Sequence, residues 1–259
     1  MPYERELASK ASHFDIVKNP EVAEFLDQCD YLKPVSEHET TAIAGKFVEV
    51  PPLDGVELPS SIIAIDGSRH ESSIHDRLPH TRVGYVKVSS VLIKTTEFNA
   101  LRVGRFVDPF RVAALRDNSS SLTLAVPSSN VRWSEHDCVC DSFRARVDRF
   151  FYGDATRFNP DDPATSLRTT LFHLAHRRPK QMATESPKCL KISKCPACGS
   201  GPLTIEDTSE AQYCKHCGAR VYPTDVLRLW EEVSDFQANL GAITRLMLII
   251  EHLLPIHYI

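Results

Sequence analysis

Ser61-Ile62-Ile63-Ala64-Ile65-Asp66-Gly67-Ser68-Arg69 is the stretch on which the fold is read. A short Ile-rich run bounded by turn residues predicts a strand covered on both faces, with Asp66 at its exit. A carboxylate placed there, followed by a glycine that lets backbone, metal or phosphate come close, suits metal-dependent phosphoryl chemistry. Asp-Gly is equally a hairpin or loop signal, so a turn stands beside the metal site as a reading of the same pair.

Outward from this run the chain alternates strand and helix signals. In 83–93, Val83, Tyr85, Lys87 and Ser89 fall on one face of a predicted strand, and Gly84, Val86, Val88 and Ser90 on the other. Leu122 to Val126 is a third strand candidate, and 106–115 reads as a strand or a short helix. Helices are expected over 1–33, with Pro20 starting a segment, over Cys140 to Tyr152, and over Ala164 to His176. Strands followed by helices predict an α/β fold.

The strongest motif by spacing is Cys195-Pro-Ala-Cys198 with Cys214-Lys-His-Cys217, two knuckles separated by 15 residues and each followed by glycine. This pattern predicts a four-cysteine zinc ribbon, and four thiolates leave no open position, so the zinc is structural. Leu203, Ile205 and Tyr213 are the sizeable apolar groups between the knuckles, too few to fold the module without metal. Glu206, Asp207 and Glu210 make its fingertip acidic, which favours scaffolding or docking over DNA contact.

Beyond the ribbon, Val226, Leu229, Val233, Phe236, Leu240, Ile243, Met247, Ile250 and Leu254 are spaced by three and four residues. That spacing predicts one amphipathic helical stripe, with Thr224 as amino cap, Gly241 as a kink or break, and Asp225 on the helix dipole.

Two blocks carry a family resemblance. Ile63 to Glu71 resembles the opening motif of the NurA nuclease family, and Tyr222 to Glu232 with Thr244 to Met247 and Ile250 to Leu253 is similar to the helical segment of its bacterial members. The resemblance implies a ribonuclease H-like mixed sheet with flanking helices, a long C-terminal helical segment and the zinc ribbon as an insert. It also implies a Mn2+- or Mg2+-dependent deoxyribonuclease that acts as a homodimer with a HerA-like hexameric ATPase in DNA end processing or antiviral defence. Asp66 would be a metal ligand, with Glu232 or Glu251 as a second. Family members continue past the last residue here, so an amino-terminal portion of a longer protein is expected. The alternative is a noncatalytic DNA-binding or adaptor subunit docking on such an ATPase.

Four regions follow: an arm over 1–59, the first part of a nuclease core over 60–190, the ribbon over 191–222, and a helical segment over 223–259. With 259 residues, 42% of them hydrophobic, the chain is long enough for one sizeable core and a small module. A net charge of −4 argues against a general nucleic-acid coat protein. DNA contacts are expected from Arg69 and from the basic run between Arg168 and Lys194, with Arg177, Arg178 and Lys180 at its centre; a solvated helix end and linker explains the same run. No window of about 18 apolar residues and no secretory leader is evident, and the cysteines show no disulfide framework, so a cytoplasmic address is expected.

Overall fold

The computed structural model describes residues 20–28, 35–49, 55, 57, 59–103, 106–115, 119–177 and 186–258. The chain divides into two units, 1–57 and 58–259. Of the first, two helices are described, α1 (Pro20–Asp27) and α2 (Glu37–Ala44). Ser36 and Glu39 cap α2 reciprocally: the Glu39 amide donates to Ser36 Oγ at 3.3 Å and the Ser36 amide to Glu39 Oε2 at 2.9 Å. The helix expected over 1–33 is described only from Pro20; 1–19 lie outside the described residues.

The second unit is built on a three-stranded antiparallel meander, β1 (Ser61–His75), β2 (Leu78–Lys94) and β5 (Ser119–Ser129), in the order β1-β2-β5. Between β2 and β5 come α3 (Thr95–Asn99), the two-residue strands β3 (Arg102–Val103) and β4 (Phe106–Val107), and α4 (Pro109–Leu115), so 106–115 holds both a strand and a helix. Then follow α5 (Val139–Tyr152), α6 (Leu167–His176), the hairpins β6 (Cys189–Ile192) with β7 (Leu203–Glu206) and β8 (Gln212–Tyr213) with β9 (Arg220–Val221), and α7 (Leu240–His257).

Among the described residues every strand pairing is antiparallel. One face of the meander is covered, and no described helix or strand packs on the other. Val86 and Val88 on β2 and Leu124 and Val126 on β5 pack into one core with Phe143, Val147 and Phe151 of α5, Leu171 and Phe172 of α6, and Ile243, Leu246 and Ile250 of α7. The other face carries Tyr85, Lys87, Thr123 and Ala125, all exposed. The alternation expected for Val83 to Ser90 therefore holds, since its apolar set faces the helices.

Strand β1 departs from expectation. It runs for 15 residues, and Asp66 is its sixth residue rather than its end. Asp66-Gly67 makes no turn either, because Asp66 pairs with Ser89 and Gly67 with Val88, while the hairpin tip lies between His75 and Leu78. β1 is an edge strand of the meander, not one covered on both faces. Its second half is polar, Ser68 to Ser73, because only alternate residues of an edge strand face the core.

The continuous helix expected from Thr224 does not form. Pro223–Leu227 and Leu229–Glu232 are separate 3-10 turns joined by Arg228 in the left-handed region (φ 56°), and the helix begins at Leu240 with Asn239 as cap. The Asn239 side chain accepts from the Ala242 amide at 2.8 Å. Gly241 thus lies in the first turn and marks no kink. By length and mean hydropathy (1.3) α7 meets the criteria for a membrane span, yet its apolar side is filled by the sheet and by α6.

Candidate functional site

Asp66 is exposed and, by strand alternation, points to the bare face with Ser68 and His70. Across the sheet it shares a row with Ser89 and Ser121, whose hydroxyls lie 3.1 Å apart, and the next rows are Ser68-Lys87-Thr123 and His70-Tyr85-Ala125. The neighbouring residue, Gly67, faces the opposite way, and α7 crosses β1 there. A Cβ at Gly67 would run into the Glu251 carboxylate and come within 2.8 Å of Met247 Cγ. This close approach explains why glycine follows the acid: it makes room for a helix, not for a turn.

Glu251, on α7, therefore lies against β1 at the residue adjoining Asp66 but on the opposite face of the sheet, so the two carboxylates do not converge on one point. Glu232 is elsewhere. Its Oε1 accepts from Arg245 Nη1 at 3.0 Å, and its Oε2 would lie 3.1 Å from a Cβ on Gly241. Residues 241 and 251 of one helix are about 15 Å apart along its axis, so Glu232 and Glu251 serve different places and only Glu251 reaches the Asp66 strand. In the structure Glu232 is an ion-pair partner of Arg245.

Arg69 is exposed but alternates away from Asp66, which places Ser68 rather than Arg69 beside the acid. Arg177 is exposed at the carboxyl end of α6, whereas Arg178 and Lys180 lie outside the described residues. The expected basic surface is interrupted at both ends. Arg168 is turned inward, paired with Asp207 and stacked 3.9 Å from the Tyr152 ring centroid, and burial lowers its pKa. Lys194 is paired with Glu231 at 2.9 Å.

The cysteine cluster assembles as its spacing predicts. Sulfur atoms of Cys195, Cys198, Cys214 and Cys217 all lie within 4.8 Å of one another, with Cys195 to Cys217 and Cys198 to Cys214 each at 3.8 Å. Four sulfurs about 2.3 Å from a tetrahedral zinc would be about 3.8 Å apart, so the set fits that ion. The two knuckles are built alike: the Gly199 amide donates to the Cys195 carbonyl (2.9 Å) and the Gly218 amide to the Cys214 carbonyl (2.8 Å). Gly199 (φ 74°) and Gly218 (φ 73°) occupy the left-handed region that closes such turns, where a side chain would be strained. Hydrogen bonds from Ser200 lower the Cys198 thiol, whereas burial raises that of Cys195 in the same cluster. Cys195 and Cys214 are buried, and they join Leu190, Ile205 and Val221 in the main core, so the cluster is part of the sheet-and-helix unit and not a tethered appendage.

A buried polar assembly between α5 and the Tyr222-to-Asp225 turn escaped the sequence reading. Arg144 (6% exposed) meets Asp225 (2%) through two bonds, Nε to Oδ1 at 2.8 Å and Nη2 to Oδ2 at 2.7 Å. Asp225 Oδ2 also accepts from the Tyr222 amide, and Arg144 donates to the Arg220 carbonyl. Asp225 is thus a buried counter-ion, not a residue placed for the helix dipole. Beside it Asp148 accepts from the amide and hydroxyl of Thr224, and burial pushes its carboxyl up to about 6. The available signal was an arginine on the apolar side of an amphipathic helix, since such a charge needs a partner.

No protein-family model, curated protein or solved structure matches this chain. Among the described residues, the cysteines form the one group of three or more potential metal ligands.

Proposed function

We propose that this chain is a Mn2+- or Mg2+-dependent deoxyribonuclease of ribonuclease H-like build, working with a hexameric HerA-like ATPase. The observation that supports this reading is the exposed Asp66 carboxylate on the open face of β1, in one row with Ser89 and Ser121 and beside the Ser68-Lys87 row. Magnesium-type ions ask the protein for one or two carboxylates and keep waters or phosphate oxygens in their other positions. Asp66 is the residue of this chain that would hold the ion; Glu251, on the other face of β1, is out of reach of the same ion. Bound there, a divalent ion supplies acidification of an attacking water and charge compensation at the phosphate. Ser68, on the same face as Asp66, positions the phosphate by its hydroxyl, and Lys87 in the adjoining strand adds a positive charge to that row.

Cleavage of linear and plasmid DNA with Mn2+ tests the reading. Asp66→Ala should abolish cutting, with zinc content and folding unchanged. Undiminished cutting by the Asp66 variant overturns the assignment. The adaptor reading has its own support, because the described carboxylates form no cluster of three or more metal donors. Stable binding to the ATPase ring by a wild-type chain that neither cuts DNA nor binds Mn2+ would establish that reading instead.

A further inference from the structure

Around the cysteine cluster the hairpins β6-β7 and β8-β9 do not join into one sheet, and a groove of about 210 Å3 lies between them. Only alternate residues of β7 bond to β6. On that side the Asp207 amide donates to the Lys188 carbonyl at 2.7 Å, so the backbone groups of Leu203 and Ile205, of the same parity, face β6, and those of Thr204 and Glu206 face the other way. Glu206 shows what such outward groups take. Its amide donates to Gln212 Oε1 and its carbonyl accepts from Gln212 Nε2, both at 2.8 Å, so a side-chain carboxamide stands where a neighbouring strand's peptide group would. Thr204 is the next outward residue, about 7 Å along the strand, and its amide and carbonyl open on the groove without a bonding partner among the described residues.

We propose that this groove binds an extended segment of a partner protein, paired to Thr204 through its backbone, with an apolar side chain on the groove floor and an acidic one at the rim. Buried Leu203, Ile205 and Val221 make the floor apolar. Tyr213, Lys215 and His216, all exposed, form the rim. No carboxylate lines the groove, and the Lys215 ammonium has no ion-pair partner among the described residues. A positive charge without a counter-ion beside an apolar floor complements an acid next to a large apolar residue, and the open Thr204 backbone groups complement a strand.

The groove is smaller than the roughly 300–1,000 Å3 pockets that enclose drug-sized molecules, which suits one peptide side chain better than a free small molecule. A nucleic acid fits less well. It brings no peptide group to match Thr204, and a single lysine is little charge for a phosphate track. The groove shares no residue with the Asp66 face, so binding there is independent of the nuclease reading.

Selection from a random dodecapeptide library against the zinc-loaded chain tests this, with the affinity of the enriched peptide read by fluorescence polarisation. Enriched sequences should share an acidic residue within two positions of a large apolar one. Lys215→Glu should weaken the peptide about tenfold, and exchanging the peptide's acid for lysine should restore binding to that variant. N-methylation scanned along the peptide should cost about fivefold or more at the residue that pairs with Thr204 and little at its neighbours, a backbone signature that leaves the protein untouched. The zinc content of Lys215→Glu shows whether the knuckles still form, and the N-methyl scan on the wild-type chain decides the matter if they do not. Absence of an enriched consensus, a consensus without an acid, equal binding by Lys215→Glu, absence of an N-methyl-sensitive position, or displacement of the peptide by an equimolar single-stranded oligonucleotide overturns the proposal, whatever the nuclease assay shows.

Discussion

Arg144 and Asp225, 81 residues apart in the chain, meet in a two-pronged ion pair that is almost wholly shielded from water. The pair fastens the turn after the cysteine cluster to α5, and thereby sets where the chain starts its approach to α7. Asp141 adds a third contact to Arg144 at 2.9 Å from the exposed end of the same helix.

Removing one partner leaves the other charge buried and unpaired. Arg144→Met and Asp225→Asn should each destabilise the 58–259 unit by about 3–5 kcal/mol in urea denaturation, far more than loss of an exposed pair. Replacing both residues together should recover a large part of that loss, because the desolvation of two charges is then avoided. A double variant as unstable as the sum of the single ones would show that the pair does not act as a unit.

The cysteine cluster predicts one zinc per chain. Cys214→Ser should lose the ion, and a chelator should unfold more than the two knuckles, because Cys195, Cys214, Ile205 and Val221 share the core with Phe143 and Phe172. Metal analysis beside near-ultraviolet circular dichroism checks this. Loss of zinc with the aromatic signal of the core intact would mean that the cluster folds as a separate module.

Burial raises the Asp148 carboxyl to about 6, above its ordinary value near 3.8. The folded state therefore holds the proton more tightly than the unfolded chain. The resulting stabilisation is complete below the unfolded pKa and is lost as pH rises through about 6. The substitution Asp148→Asn keeps an acceptor for Thr224 without the charge. Relative to that variant, the wild type should lose on the order of 2 kcal/mol between pH 4 and pH 7.5, read as the difference between paired denaturation curves so that other groups cancel. A difference that does not change with pH would show that Asp148 is better hydrated than its position implies.

Much of the meander was legible because a one-sided sheet writes itself as alternation: Gly84, Val86 and Val88 face the helices and Tyr85 and Lys87 face outward. The cysteine cluster was legible because ligand spacing is set by the ion. The segment from Val226 to Phe236 misled for an identifiable reason. Spacings of three residues fit the 3-10 turns that form there as well as an α-helix, and Phe236 is 72% exposed, so the stripe had no common core to face. Asp66 was placed at a strand end because the apolar run stops at Ile65, yet backbone pairing with β2 continues to His75 through a polar stretch in which Ile74 is the one large apolar side chain.

The crossing of α7 over Gly67 gives the last prediction. In Gly67→Ala, the new methyl group would meet Glu251 Cδ at 2.9 Å and Met247 Cγ at 2.8 Å, closer than carbon atoms ordinarily approach, so α7 or its side chains must move. Alanine suits a strand better than glycine, which offsets part of the cost, and a net loss of about 1–3 kcal/mol is expected. Shortening the obstructing side chain should relieve it: Gly67→Ala with Glu251→Ala should be more stable than Gly67→Ala alone, a coupling of about 1 kcal/mol or more in a double-mutant cycle. Additive effects would mean that Glu251 does not rest on β1 at Gly67.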